Sequence, residues 1–293
     1  MRVTDSQVFA RLAGRVAGSW ERLARLQDQA ATGMRVNRPS DDPAAAARIG
    51  ALDEFLARIR DCDDGADAAQ TRLEGAEAAL ASASELLIRA RELAVQGASE
   101  QYTAQNRADM AAEAQALFAQ LLAAGNAQAA GRYLFSGYRE DTPAFDAAGT
   151  YQGDGGVAWI EVTPGLRVAA NLAGDRVFLG AGGGVDLFAA LDGLRAALAA
   201  DDTAAIRASL GNLEQGLEQL NAARAELGAR HNTVAFAREG NSALRIGSES
   251  DRGRLGDADW ARLTSELATA ERALQAALAT FPILQSMSLL ARR

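Results

Sequence analysis

A glycine-rich run before a predicted helix is the first candidate for ligand-binding chemistry in this chain. It reads Gly180-Ala181-Gly182-Gly183-Gly184, and the backbone N–H groups of such loops can cradle a phosphate. The dinucleotide fingerprint requires a third glycine where Val185 stands. The segment before the run, 176–179, also reads as an antiparallel strand. We therefore interpret the run as a flexible loop.

Acidic clusters are the second candidate, because neighbouring carboxylates can bind calcium or share a proton. Asp61-Cys62-Asp63-Asp64-Gly65 has the opening of a calcium loop, but its glycine comes one position early and Arg72 replaces the bidentate glutamate. We interpret it as a charged patch on a long helix. Asp41-Asp42 and Asp201-Asp202 each precede an apolar helical pattern, where helix capping accounts for them.

Nucleophilic and metal chemistry lack the residues that they need. All thirty basic residues are arginine, so a Walker-A lysine and a Schiff-base lysine are excluded. His231 and Cys62 are single copies, which excludes a His/Cys zinc cage within one chain and an intrachain disulfide. No triad has a histidine at its centre. We expect no enzyme activity, no cofactor and no metal site.

Charge and hydropathy exclude further classes. The net charge of −8 argues against a nucleic-acid partner, whose binding surface would be basic. No run of eighteen apolar residues occurs, so we expect no membrane span. Arg11 and Arg15 interrupt any apolar core of a secretory signal. The protein is therefore expected to be cytoplasmic, or exported by a route that cleaves nothing.

The elements around these residues are mostly helices. Apolar residues at steps of three, four and seven predict a first helix over 5–32, which Thr32-Gly33 closes. A link follows, and Asp42 then caps a long helix over 42–97 with Pro43 in its first turn. A third helix is predicted over 103–130. The stripe of the first helix and the helix-start motif consist of Phe9, Leu12, Val16, Leu23, Leu26, Pro39, Ser40, Asp41, Asp42 and Pro43.

The rest of the chain changes character twice. Glycines and turns over 132–186 predict a small antiparallel β module, with strands at 157–162, 167–172 and 176–179. Helical periodicity then returns. Pro282 interrupts the last stripe and predicts a kink. The apolar seam of this last helix is formed by Trp260, Leu263, Leu267, Ala270, Leu274, Ala277 and Phe281.

The predicted fold is therefore mainly α with a small inserted β module. An N-terminal helical region, 1–131, and a C-terminal one, 187–293, flank the β-rich region, 132–186. Alanine at one core position of the heptad pattern predicts closely spaced helices. We expect the terminal segments to form a long antiparallel coiled coil or bundle, and to pack against neighbouring copies.

Four motifs carry a resemblance to a known family. The segment 29–43, with its Pro-Ser-Asp-Asp-Pro ending, resembles the N-terminal signature of the flagellin superfamily. That ending is more similar to the branch at the hook–filament junction than to filament flagellins, which usually lack these prolines. The other three motifs are similar to further stretches of the family and occur in the family's order: Gly131–Gly137, Tyr151–Asp154 and Ala223–Asn232.

The resemblance implies a structural part of the bacterial flagellum, outside the cell and exported unfolded by the flagellum-specific type III route. The implied partners are hook-associated protein 1, flagellin, an export chaperone and further copies of the chain in a ring. Two alternatives remain open: a filament flagellin, and a cytoplasmic coiled-coil scaffold. An enzyme is a distant third.

Overall fold

The computed structural model describes residues 5–290, and it is mainly helical with a small antiparallel β module, as the sequence predicts. Long helices occupy both ends of the chain, and the short strands occur only in its middle. The elements are α1 (Asp5–Thr32), α2 (Pro43–Gly97), α3 (Ala104–Gly125), β1 (Gln128–Ala129), β2 (Arg132–Tyr133), β3 (Trp159–Thr163), β4 (Leu166–Ala169), α4 (Gly174–Phe178), α5 (Leu187–Ala199), α6 (Thr203–Gly256) and α7 (Trp260–Leu290).

The chain divides into two compact units. The terminal unit contains the chain up to Ala57 and from Leu244 onward, and the central unit is Arg58–Ala243. In the terminal unit α1 packs against α7. The backbone of α7 continues as a helix through Pro282 to Leu290, so the proline does not end the element.

The core of the central unit is built on the alanine–leucine rhythm of α2. Nine residues at alternating steps of three and four all have their side chains buried. Because alanine occupies every second position, the neighbouring helix can approach closely. The nine are Ala66, Ala69, Leu73, Ala76, Leu80, Ala83, Leu87, Ala90 and Ala94.

In the central unit, α6 runs antiparallel to α2. The guanidinium of Arg224 donates to the carboxylate of Glu77 at 2.7 Å, and an added Cβ on Gly97 would lie 3.6 Å from Ile206. As residue numbers on α2 increase, the numbers of the contacting residues on α6 therefore decrease, as expected of antiparallel helices. Gly216 on α6 permits close packing on two sides, because an added Cβ there would lie 3.3 Å from Leu87 on α2 and only 2.6 Å from Leu187 on α5.

The β module consists of two separate two-stranded antiparallel sheets, β1 with β2 and β3 with β4. In the second sheet Trp159 pairs with Ala169, and the register shifts between Glu161 and Thr163. Phenylalanines fill the space between the module, α3 and α5, where Phe135 and Phe178 meet edge to face at 5.2 Å.

Three expectations from the sequence are wrong. The segment 176–179 is no strand: residues 176–178 belong to α4 and Leu179 caps it, because the N–H of Leu179 donates to the carbonyl of Asp175 at 3.1 Å, as in a helix. The third helix ends at Gly125, because the Asn126 side chain bonds both backbone groups of Phe145 at 2.9 Å. Trp260 lies in the first turn of α7 and is 55% exposed.

Candidate assembly site

The paired terminal helices are the first part of the candidate site. Leu23 and Leu26 on α1 form one buried cluster with Leu263, Ala270 and Leu274 on α7. Full burial of one leucine contributes about 1.5–3 kcal/mol. The cluster therefore outweighs the cross-helix ion pair between Arg22 and Glu266, whose atoms are 3.8 Å apart and whose side chains are both partly exposed to solvent.

The predicted seam residues divide into three groups. Leu23, Leu26, Leu263 and Leu274 are buried between α1 and α7. Val16 and Leu267 are partly buried against the same cluster. The side chains of Phe9, Leu12 and Phe281 lie outside those that the structure describes.

Other large apolar side chains of the terminal unit face outward. Trp20 on α1 is 53% exposed and Leu278 on α7 is 45% exposed. They stand on the same helices as the buried cluster, but the cluster does not cover them. The pairing of α1 with α7 therefore leaves apolar surface uncovered on both helices.

The helix-start motif forms the second part of the site. Asp42 accepts a hydrogen bond from the backbone N–H of Ala45 at 3.0 Å, so its carboxylate caps α2. Pro43 occupies the first helical position, where no N–H is needed. The pKa of Asp42 is lowered, first by the hydrogen bond from Ala45 and then by the guanidinium of Arg35.

The rest of the motif shapes the link between α1 and α2. A carboxylate oxygen of Asp41 accepts from the backbone N–H of Asn37 at 3.2 Å and of Arg38 at 2.9 Å. The N–H of Asp41 donates to the carbonyl of Arg38 at 2.9 Å and closes a turn that carries Pro39 and Ser40. Both of these residues are exposed, so they shape the link without contributing a contact in the core.

Arg35 is the residue that the sequence analysis missed. Its guanidinium donates to Asp42 at 3.0 Å and to the carbonyl of Leu255 at 2.7 Å. Its backbone N–H donates to the carbonyl of Gly256 at 2.6 Å. The only sequence signal was a positive charge in a short link between a helix-ending glycine and an acidic cap.

The other candidates for chemistry are not brought together. Cys62 is buried on α2, and burial raises the pKa of its thiol. His231 lies 3.7 Å from Glu74 on an exposed surface. Within residues 5–290, no three His, Cys, Asp or Glu side chains are grouped so as to hold a metal ion.

The glycine-rich loop and the paired aspartates have structural roles: the carboxylate of Asp202 caps α6 by accepting from the N–H of Ala205 at 3.0 Å. Gly180, Gly182 and Gly183 all adopt positive φ, and the loop leads to Asp186, whose carboxylate caps α5 by accepting from Ala189 at 2.9 Å. A negative side chain at this helix start opposes an anionic ligand. None of the helices in the described part of the chain has the length and apolarity that crossing a membrane demands.

Comparison with known proteins agrees with this architecture. Residues 14–140 match the family model of the bacterial flagellin N-terminal helical region. The flagellar hook-associated protein 3 of Salmonella typhimurium is 26% identical over 99% of this chain and 98% of the relative. The hook-associated protein 3 of Escherichia coli is 27% identical with the same coverage, and flagellin FlaB2 of Treponema pallidum is 24% identical over 80% of this chain.

Solved structures of flagellar hook-associated and junction proteins have a similar fold. A putative flagellar hook-associated protein from Vibrio parahaemolyticus superposes with a TM-score of 0.68 at 25% identity, over 74% of this chain and all of that one. The flagellar junction protein FlgL from Legionella pneumophila shares the fold, with a TM-score of 0.59 at 19% identity, over 71% of this chain and 99% of that one.

The fold and the matches together describe a helical protein similar to flagellins, with paired terminal helices and a small β module. Within that class, the predicted resemblance to the flagellin superfamily and its hook-associated protein 3 branch is confirmed.

Proposed function

We propose that this chain is a structural subunit of the hook–filament junction of the bacterial flagellum, where it joins hook-associated protein 1 to flagellin. The proposal is supported chiefly by the share of this chain that aligns with each relative. Two proteins named hook-associated protein 3 align with 99% of this chain, whereas flagellin FlaB2 aligns with 80% of it. No catalytic step is part of this role.

Copies of the chain would form a ring in which neighbouring subunits contact through the terminal helices. Leu23, Leu26, Leu263 and Leu274 are already buried within one chain, so their role is to hold α1 and α7 together. Leu267 is only partly buried, and Trp20 and Leu278 are exposed. These three offer apolar surface to a neighbour. Phe9, Leu12, Val16 and Phe281 belong to the same proposed packing set.

Delivery to this position would require export to the cell exterior through the flagellar type III route, with an export chaperone as a transient partner. The proposal includes no cleaved signal and no cofactor. Within this scheme, the helix-start motif at Pro39–Pro43 fixes how the chain passes from α1 to α2. The β-rich region, 132–186, would then be the variable part of the subunit.

The direct test is a strain in which the gene is deleted, viewed by electron microscopy. The proposal predicts bare hooks, with flagellin lost to the medium and filaments restored by the intact gene on a plasmid. Normal filaments in the deletion strain would overturn it. Long filaments grown from the purified protein on seeds would favour a filament flagellin, and a protein found only in the cytoplasm would favour a scaffold.

A further inference from the structure

Arg35 lies where the ends of four helices meet in the terminal unit. The carbonyl of Arg35 accepts from the side-chain amide of Gln29, in the last turns of α1, at 2.8 Å. Its guanidinium reaches Asp42, the cap of α2, and Leu255 at the end of α6. Next to it, the carbonyl of Gly33 accepts from the N–H of Ala258, just before α7, at 2.9 Å.

The electrostatics of this position suit a cation. The last carbonyls of α6 carry the partial negative charge of a helix C-terminus, and Asp42 carries a full negative charge at the start of α2. A planar guanidinium can satisfy a carboxylate and a carbonyl at once, which a lysine ammonium does with less directional control. Arg35 therefore ties the connector 33–42 to the last turn of α6 through charged hydrogen bonds.

We infer that Arg35 is a latch: it locks the connector between α1 and α2 (33–42) onto the last turn of α6, and so holds it beside the connector between α6 and α7 (257–259), which it meets through the backbone of Gly33 and Met34. With the latch closed, the α1–α7 pair is held at the ends of α2 and α6. With the latch open, the backbone amides of both connectors exchange with solvent more readily, although every helix can remain formed. This inference concerns one isolated chain, so it does not depend on the proposed place of the protein in the flagellum.

Hydrogen–deuterium exchange of the full-length protein tests the latch. In the Arg35→Gln variant, the amides of both connectors should exchange about tenfold faster than in the original protein, because charged hydrogen bonds are lost. Amides within Arg58–Ala243 should not change. The matched control is Arg38→Gln, which removes a more exposed arginine of the same link, paired with Asp28 at 3.5 Å, and should leave both connectors as they are.

Asp42→Asn separates the latch from helix capping. Asparagine caps a helix as well as aspartate does, so the first turn of α2 should keep its protection while the connectors exchange faster. The double variant Arg35→Gln, Asp42→Asn should match Arg35→Gln alone, because the two side chains act together. Unchanged connectors in Arg35→Gln would overturn the inference. Equal acceleration throughout the chain, or fully additive effects in the double variant, would also overturn it.

Discussion

At the scale of single residues, Gly33 shows how one position ends a helix. Its φ of 71° is a conformation that glycine adopts without strain and that other residues rarely adopt. Its N–H donates to the carbonyl of Gln29 at 2.9 Å, so α1 closes in the manner of a C-terminal glycine cap. An added Cβ would lie 3.9 Å from Trp260, which is ordinary contact.

Gly33→Ala should therefore destabilise the terminal unit by about 1 kcal/mol, through backbone strain alone. The measurement is the free energy of unfolding from urea titration, followed by exchange of the α1 amides. Gly14→Ala is the control, since Gly14 lies inside α1 with no atom near an added Cβ. It should stabilise by about 0.5–1 kcal/mol. A stabilising Gly33→Ala would contradict the assigned backbone.

The stability of the first turn of α2 depends on pH through Asp42. Its pKa is lowered from 3.8 by the hydrogen bond from Ala45 and by Arg35. A carboxyl whose pKa is lower in the folded state stabilises that state above its unfolded pKa and loses this effect as pH falls through the folded value. Protection of the first turn of α2 should therefore fall below about pH 3.8.

The Asp42→Asn variant isolates this effect. Asparagine does not titrate, so its contribution to that turn should be flat across the same pH window. The measurement compares amide exchange of residues 43–46 in the two proteins, corrected for the intrinsic effect of pH on exchange. Parallel pH profiles would show that Asp42 does not supply the dependence.

Arg107 is a buried charge whose partners lie on two chain segments, 97–99 and 201. It donates to the carbonyls of Gly97 at 2.7 Å and Ser99 at 2.9 Å, and it forms an ion pair with Asp201. Arg107→Ala leaves these acceptors without a donor, and should cost about 2–3 kcal/mol of stability in the central unit. Thermal unfolding measures it. Arg195→Ala, at an exposed pair with Asp192, should change stability by less than about 0.5 kcal/mol.

At the scale of elements, the seam between α1 and α7 depends on how completely each leucine is covered. Leu274 is buried in the seam, whereas Leu278, one turn further along α7, is 45% exposed. Leu274→Ala should cost about 2–4 kcal/mol, from lost burial and the cavity left behind. Leu278→Ala should cost far less. Amide exchange along α1, which neither substitution touches directly, is the readout, and equal effects would contradict the seam.

The sequence predicted the long helices well because their pattern is repeated many times. On α2, nine positions at helical spacing all proved buried, and a pattern of that length leaves little ambiguity. The link before α2 was also readable, because an aspartate cap followed by proline is a local signal. The cap formed by Asp42 depends on an N–H only three residues away.

Short elements and long-range contacts were not predictable in the same way. The segment around Val177 has strand-forming residues, but the aromatic cluster buries consecutive side chains and favours the short α4. Arg35 could not be assigned, since its partner Leu255 is distant in sequence. Trp260 fits the apolar spacing but lies in the first turn of α7, where one edge of its indole ring faces Gly33 at the end of α1.

At the scale of the whole molecule, the terminal helices carry two kinds of surface. One face holds α1 and α7 together within a chain, and the exposed apolar residues are free for neighbouring copies. The central unit has its own core on α2, α3, α5 and α6. A charge placed on the terminal seam should therefore prevent incorporation into the flagellum while the β module remains folded.

The most direct measurement is incorporation in the deletion strain complemented with Leu267→Glu. Sheared flagella are probed with an antibody to the protein, and the secreted variant is checked for a folded β module by limited proteolysis. Gln275→Glu, which adds the same charge at an exposed position of α7, is the control. The account predicts loss of Leu267→Glu from the hook–filament junction and retention of the control. Normal incorporation of Leu267→Glu would contradict it.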